Sequence, residues 1–102
     1  MSGDETILVT IDRVTEKRTK PDWTYRNGRR RFEIDAVRVA DGSSVWCSTL
    51  DQFAASLCLR ARETGKQLLL TVRMVVLHGR FGSKAKVYNL VNVEEPQSQV
   101  SA

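Results

Sequence analysis

The chain has 102 residues, 41% of them hydrophobic and 27% charged, with a formal net charge of +4 at pH 7. This length fits one compact domain, and the composition is that of a globular chain, which excludes an intrinsically disordered protein. Because no apolar run reaches the roughly 18 residues of a membrane-spanning helix, and the first residues lack a secretory-signal pattern, we expect a cytoplasmic protein without membrane contact.

The first predicted strand is "TILVTIDRVT", residues 6–15. Its odd-numbered residues from 7 to 11 are apolar and β-branched, and this period of two indicates a strand with one buried face. Val14 falls on the other parity, so we expect the strand to contain a bulge or to bend sharply near Asp12 or Arg13.

A basic loop follows, "EKRTKPDWTYRNGRRR", residues 16–31. From residue 13 to residue 31 there are eight Lys or Arg residues and two acidic ones, a net charge of +6, whereas the rest of the chain carries −2. Two aromatic residues, Trp23 and Tyr25, lie among these cations. Such a local concentration of positive charge suits a polyanionic partner.

Two strands come next, "RFEIDAVRVA" at residues 31–40 and "SVWCST" at residues 44–49, with a turn at Asp41-Gly42 between them. Strand-like patterns on either side of an Asp-Gly pair are typical of a β-hairpin. The first three strands should therefore form an antiparallel meander.

The pattern changes to that of a helix in "LDQFAASLCLRARET", residues 50–64. Apolar residues at 53, 54, 57, 58 and 61 recur with helical spacing and form one stripe. Thr49 and Gln52 fit a capping box at the start of this helix, and Gly65 is suited to its end.

A fourth strand is predicted in "KQLLLTVRMVVLHG", residues 66–79, which is apolar on both parities and is therefore expected to be long and largely buried. A second loop, "HGRFGSK" at residues 78–84, leads to a fifth strand, "AKVYNLVNV" at residues 85–93. We expect the polar residues 94–102 to form a flexible tail, which leaves residues 1–93 as the single domain.

Three strands, one helix and two further strands, with a long loop after the first strand, resemble the oligonucleotide/oligosaccharide-binding (OB) fold over roughly residues 6–93. The resemblance lies in the order of the elements. With its short chain and basic loop, the sequence is most similar to the small single-stranded-DNA-binding proteins of bacteria and phages. The resemblance implies an all-β fold with one helix, a five-stranded OB-fold barrel of order β1-β2-β3-α-β4-β5. It also implies a binding face across the second and third strands, flanked by two loops.

The two loops that the resemblance makes functional coincide with the two unusual stretches, residues 16–31 and 78–84. A single strand offers bases, which stack on aromatic rings, and phosphates, which bind cations. The stacking candidates on the loops are Trp23, Tyr25 and Phe81. The candidates for phosphate contacts are Lys17, Arg18, Lys20, Arg26, Arg29, Arg30, Arg31, Arg80 and Lys84.

The face on which Trp46 lies depends on the length of the hairpin loop before it. A loop of two or four residues places Trp46 on the outer face with the carboxylates Glu33 and Asp35, whereas a loop of three places it beside Arg38 and Ala36. The first register gives the cleaner core, so we expect Trp46 to be an exposed stacking residue on the binding face. The two carboxylates disfavour a phosphate backbone there, and partial burial of Trp46 under a loop or at an oligomer interface is the alternative.

We therefore expect a protein that binds single-stranded DNA without sequence preference, with RNA as an alternative ligand. We also expect a homo-oligomer, with a dimer favoured. The competing interpretation is an OB-fold protein-interaction module, in which Val37, Val39 and Trp46 form an exposed patch and the basic loop meets an acidic partner.

Catalysis is not expected. The sequence contains no GxSxG, HExxH, phosphate-binding-loop or dinucleotide motif. Cys47 and Cys58 form no CxxC pair, and His78 is the only histidine that could complete a metal site. We expect two buried thiols, no metal and no cofactor.

Overall fold

The computed structural model describes residues 3–21, 23–24 and 26–96, with Arg80 described by its backbone alone. The strands close into a barrel in the order β1-β2-β3-β5-β4, and the predicted fold class, an all-β five-stranded OB-fold barrel with one helix between β3 and β4, is confirmed. Neighbouring strands are antiparallel except β3 and β5, which run parallel. The elements are β1 (Asp4–Arg18), β2 (Arg30–Arg38), β3 (Ser44–Thr49), α1 (Gln52–Thr64), β4 (Gln67–His78), a 3-10 turn (Arg80–Gly82) and β5 (Lys84–Glu94).

The predicted bulge in β1 is confirmed at Asp12. Ile11 pairs with Ala36 on β2, but the next pair is formed by Arg13, so Asp12 has no Cα partner on β2. The bulge reverses the parity of the strand, and Val14 therefore packs against the core. The Asp12 carbonyl oxygen accepts a hydrogen bond of 2.7 Å from Arg62 Nε, which ties the bulge to the helix.

The core lies inside the barrel and under α1. Alternate residues of β1, β2 and β4 supply its large side chains, of which Val9, Ile34 and Leu70 are fully buried. Both cysteines are buried and unpaired, as expected. Burial raises the pKa of each thiol to about 12, so neither is a nucleophile near neutral pH.

The helix differs from its prediction at one end and on one face. Asp51, rather than Thr49, is the N-cap, because its carboxylate accepts a hydrogen bond from the Phe53 backbone N–H at 2.9 Å. The predicted end at Gly65 is confirmed by its left-handed conformation. Phe53 was expected in the buried stripe, but it is 72% exposed. The buried residues are Ala54, Ala55, Cys58 and Ala61.

The predicted basic loop is shorter than expected, because backbone pairing continues into it. β1 and β2 pair as far as Arg18 and Arg30, and the Thr19 N–H donates to the Arg29 carbonyl at 2.8 Å. Since β3 pairs with β2 only as far as Phe32, the described residues between 17 and 31 form a two-stranded ribbon whose strands end at Arg18 and Arg30. We call residues 17–31 the first arm.

A second arm is built from β4 and β5. β1 pairs with β4 up to Arg73, and β3 meets β5 at Asn89, so the described residues 74–88 form a ribbon of two strands with a loop at residues 79–83. The prediction that β4 is largely buried is therefore correct for its first half and wrong for its second, where Leu77 is 52% exposed. We call residues 74–88 the second arm.

The fifth strand ends one residue later than predicted. β5 continues to Glu94, and the bulge that follows Leu90 turns Val91 outward, where it is 46% exposed. Residues 97–102, which make up most of the predicted tail, lie outside the described residues.

Candidate functional site

A groove of about 550 Å³ lies between the two arms on the outer face of the barrel. The first arm contributes Thr19 and Arg31 to its lining, and the second arm contributes Val75, Leu77 and Val87. Its floor comes from the end of β3, the start of α1 and the middle of β5. The floor residues are Trp46, Ser48, Thr49, Leu50, Asp51, Asn89 and Leu90.

Trp46 reaches the groove because of the register of the β2–β3 hairpin. The Arg38 N–H donates to the Ser43 carbonyl at 2.8 Å, so the loop between the paired residues holds four residues, 39–42. Trp46 then pairs with Asp35 on the outer face, which confirms the predicted register. The ring is half-buried rather than exposed as expected, because it lies in the groove between the arms.

Each arm carries an aromatic residue at its tip. Trp23 on the first arm and Phe81 on the second are 102% and 104% exposed, so neither ring packs against the protein. Phe81 also has a left-handed backbone, with φ 63° and ψ 29°, which costs a residue with a Cβ about 1–2 kcal/mol. Tyr25, the third predicted stacking residue on the loops, lies outside the described residues.

The two carboxylates on the predicted binding face, Glu33 and Asp35, form ion pairs with neighbouring cations. Glu33 accepts from Arg31 Nη2 at 2.8 Å and lies 3.3 Å from Lys17 Nζ, while Asp35 lies 3.3 Å from Arg13 Nη2. The expected repulsion of phosphates by these carboxylates is therefore reduced. The same pairs also occupy Lys17 and Arg31, two of the predicted phosphate-binding residues.

Two further predicted cations stabilise the first arm. Arg30 pairs with Glu16 at 2.5 Å, and this hydrogen bond lowers the pKa of Glu16. The Arg30 guanidinium carbon also lies 5.7 Å from the centre of the Phe32 ring. Arg18 donates to the Asn27 carbonyl at 3.5 Å, a long hydrogen bond across the loop. Neither side chain lines the groove.

The remaining predicted cations lie on the arm loops or at their edges. Lys20 and Arg26 on the first arm and Lys84 on the second are exposed and form no ion pair with any described residue. The Arg29 backbone N–H donates to Thr19 Oγ1 at 2.7 Å, and its side chain is exposed. Arg80 lies in the turn at the tip of the second arm.

The sequence interpretation missed the apolar wall of the groove. Val75, Leu77 and Val87 lie on one face of the second arm, where Val75 and Val87 pair across the strands. The apolar pattern of Val75 and Leu77 is visible in the sequence, but it predicts burial inside the barrel. Ser48 and Asn89 were also missed, because they meet only through the parallel contact of β3 with β5.

The described part of the chain shows neither a metal-binding cluster nor a membrane-spanning helix. It contains no group of three or more His, Cys, Asp or Glu side chains that could hold a metal ion. No helix within residues 3–21, 23–24 and 26–96 is long and apolar enough to cross a membrane.

Comparison with protein-family models and with curated proteins finds no match to this chain. Inferences about its function therefore depend on the barrel and the groove.

Proposed function

We propose that the protein binds single-stranded nucleic acid, with DNA as the expected ligand, in the groove between its arms. The observation that carries the proposal is the position of Trp46, a half-buried aromatic ring in an apolar groove whose two walls end in exposed aromatic residues, Trp23 and Phe81. Base stacking on such rings contributes about 1–3 kcal/mol for each base, and the groove face and arms correspond to the surface that OB folds use for this purpose.

The distribution of charge supports the same ligand. Inside the groove the only cation among the described lining residues is Arg31, and it is paired with Glu33. Exposed cations that have no ion pair among the described residues, such as Lys20, Arg26 and Lys84, lie out on the arms. This arrangement suits a strand whose bases enter the groove and whose phosphates run along the arms. Stacking and phosphate contacts of this kind give affinity without sequence preference.

A fluorescence titration of two single-tryptophan variants tests the proposal. Trp23→Phe leaves Trp46 as the reporter in the groove, and Trp46→Phe leaves Trp23 as the reporter at the arm tip. We expect an oligothymidylate to quench the tryptophan fluorescence of both variants at low salt and to quench it less at raised salt. A duplex of equal length should quench the fluorescence of neither variant. If the single strand changes the emission of neither variant at low salt, the proposal is wrong.

A matched pair of charge variants extends the test. Arg26→Ala removes an exposed cation from the first arm, and Arg60→Ala removes an exposed cation from the helix, outside the groove. Each phosphate neutralised adds about 0.7 to the slope of log affinity against log salt for a single strand. Arg26→Ala should lower both affinity and slope, whereas Arg60→Ala should change neither.

A second candidate function, association with another protein chain, is favoured by the other face of the second arm. Met74 and Tyr88 pair there and are 41% and 37% exposed, and Val76 beside them is 38% exposed. Side chains alternate along a strand, so this patch points away from the groove. A homodimer through this face would account for the patch.

Two substitutions separate the candidates. Val76→Asp should convert an oligomer to a monomer in analytical ultracentrifugation if the patch is an interface. Trp46→Ala should weaken oligonucleotide binding with the assembly unchanged if the groove is the ligand site. A wild-type protein that sediments as a monomer at high concentration would argue against self-association.

A further inference from the structure

The floor of the groove contains hydrogen-bonding groups that the protein does not use. Ser48, 8% exposed, is the only buried polar residue in the described part of the chain, and it lies two residues after Trp46 on β3. Its Cα partner across the junction with β5 is Asn89. Neither side chain forms a hydrogen bond with a described residue, and both line the groove. Ser48 is buried and Asn89 is exposed, and a ligand in the groove could bind the hydrogen-bonding groups of both side chains.

Arg31 adds a third unused group. Its Nη2 donates to Glu33, but its Nε is buried and has no acceptor among the described residues. Glu33 pairs with Ser48, so Arg31, two residues earlier on the same face, is a diagonal neighbour of Ser48. Arg31, Ser48 and Asn89 therefore follow one another across β2, β3 and β5.

A nucleobase matches these groups better than a phosphate or an apolar ligand does. Phosphate oxygens only accept hydrogen bonds, whereas Asn89 offers an acceptor as well as donors. An apolar ligand would leave all three groups unpaired. A base presents a flat face to Trp46 and an edge with both donors and acceptors. Apolar grooves with a few convergent polar groups are typical of sites that select their ligand.

We propose that the groove binds one base of the single strand selectively and that this base is guanine, an inference that rests on the proposed function. Arg31 is the only cation among the described residues that line the groove, and guanine presents two adjacent acceptors, O6 and N7, which form the base edge that arginine binds most often. The N1 and N2 donors of guanine can bind the oxygens of Asn89 and Ser48. Adenine has one acceptor and one donor on the corresponding edge, and pyrimidines offer a smaller surface for stacking on Trp46.

The test uses a short oligothymidylate whose central nucleotide is thymine, adenine, cytosine or guanine, titrated into the full chain. Guanine should bind most tightly, by about tenfold, the discrimination expected for one well-formed set of contacts to a base edge. Asn89→Leu should reduce this ratio to less than about twofold, and Ser48→Ala should also reduce it. Asn92→Leu, on the same strand but hydrogen-bonded to Glu94 outside the groove, should keep the full ratio.

The outcomes separate the inference from the proposed function. Equal affinity for all four oligonucleotides, or a preference for another base, overturns the selection of guanine and leaves single-strand binding intact. Retention of the full ratio in both Asn89→Leu and Ser48→Ala overturns selection by these residues. Failure of all four oligonucleotides to bind overturns the proposed function itself.

Discussion

Arg31 donates to Glu33 at 2.8 Å, so the cation in the lining of the groove is held by a carboxylate of its own strand. The other oxygen of Glu33 lies 3.3 Å from Lys17 Nζ, and the Glu33 side chain is only 16% exposed. One carboxylate thus occupies both Lys17, which a phosphate could otherwise bind on the arm, and Arg31, which a base could otherwise bind in the groove. In the proposed complex, Glu33 competes with the ligand for both of them.

Removing that competition should strengthen binding. Glu33→Gln is expected to raise the affinity for an oligothymidylate several-fold at low salt and to steepen the salt dependence by about 0.7, because Lys17 on the first arm is released to neutralise a phosphate. Glu16→Gln is the matched control, because it changes the net charge equally but releases Arg30, which does not line the groove. The affinities of both variants can be measured by fluorescence anisotropy over a range of salt concentrations. Equal affinities and equal salt dependences in Glu33→Gln and Glu16→Gln would contradict the prediction.

A substitution at the tip of the second arm should change the affinity for a single strand without lowering the stability of the protein. The Phe81 ring is fully exposed and its backbone is left-handed, so Phe81→Gly loses no packing and relieves about 1–2 kcal/mol of strain, partly offset by the flexibility of glycine. We expect the Tm to stay equal or rise slightly while the affinity for a single strand falls by about tenfold, since a stacked base contributes about 1–3 kcal/mol.

The control for Phe81→Gly is Phe53→Ala. Phe53 is also an exposed phenylalanine, at 72%, but it lies on α1 and does not line the groove. Its removal should leave affinity unchanged. If Phe81→Gly binds as tightly as the wild type, the tip of the second arm takes no part in stacking.

The shape of the first arm should matter independently of its charge. Gly28 has φ +74°, and a Cβ at this position would overlap the Thr19 carbonyl oxygen. Gly28→Ala should therefore break the Thr19–Arg29 hydrogen bonds that close the arm, and lower the affinity for a single strand without removing any cation. The measurement is a titration beside a thermal melt.

Gly42→Ala provides the comparison. Gly42 has the same φ of +74°, but a Cβ there would meet nothing within 4 Å, and the residue lies in the β2–β3 turn rather than on an arm. Its substitution should lower the free energy of unfolding by about 1–2 kcal/mol, and with it the Tm, through backbone strain alone. The affinity should not change. A loss of affinity as large in Gly42→Ala as in Gly28→Ala would show that the effect is general destabilisation.

The parts of the fold that could be predicted are those controlled by local parity. A single residue on the wrong parity, Val14, revealed the bulge in β1, and the requirement for a clean core selected the register that pairs Trp46 with Asp35. Both inferences need only the alternation of side chains along neighbouring strands. The order of strands and helix followed from the same patterns.

The two arms could not be predicted in this way. No described residue of the first arm belongs to the core, so its strands carry no apolar alternation. Lys17 and Arg31 therefore resemble loop residues in the sequence, although they pair across the ribbon. In the second arm the apolar run was visible, but its exposure depends on where β1 stops pairing with β4, at Arg73. That limit is set by the tertiary structure of the barrel.

The buried face of the helix and the floor of the groove were missed for different reasons. The helix packs through small residues centred on Ala54 and Cys58, and at 100° per residue this turns Phe53 away from the barrel. Ser48 and Asn89 are far apart in the sequence and meet only when the barrel closes. No local pattern brings them together, so the polar groups of the floor required the structure.

The two buried thiols predict a specific sensitivity to alkaline pH. Burial raises the pKa of Cys47 and Cys58 from 9.0 to about 12 in the folded protein. Above pH 9 the unfolded chain releases these protons while the folded protein retains them, so stability is complete below pH 9 and is lost as the pH rises towards 12. Each thiol should contribute a decrease of about 1.4 kcal/mol in the free energy of unfolding per pH unit within this window.

The variant Cys58→Ala isolates this contribution. It should be less stable than the wild type at neutral pH, because it leaves a cavity in the core, but its free energy of unfolding should fall less steeply above pH 9. Lysine and tyrosine residues titrate in both proteins, so their effects cancel in the difference between the two slopes. Urea unfolding at several pH values under reducing conditions measures that difference. If the free energies of unfolding of the variant and the wild type depended on pH in the same way, the thiol would ionise as readily in the folded protein as in the unfolded chain.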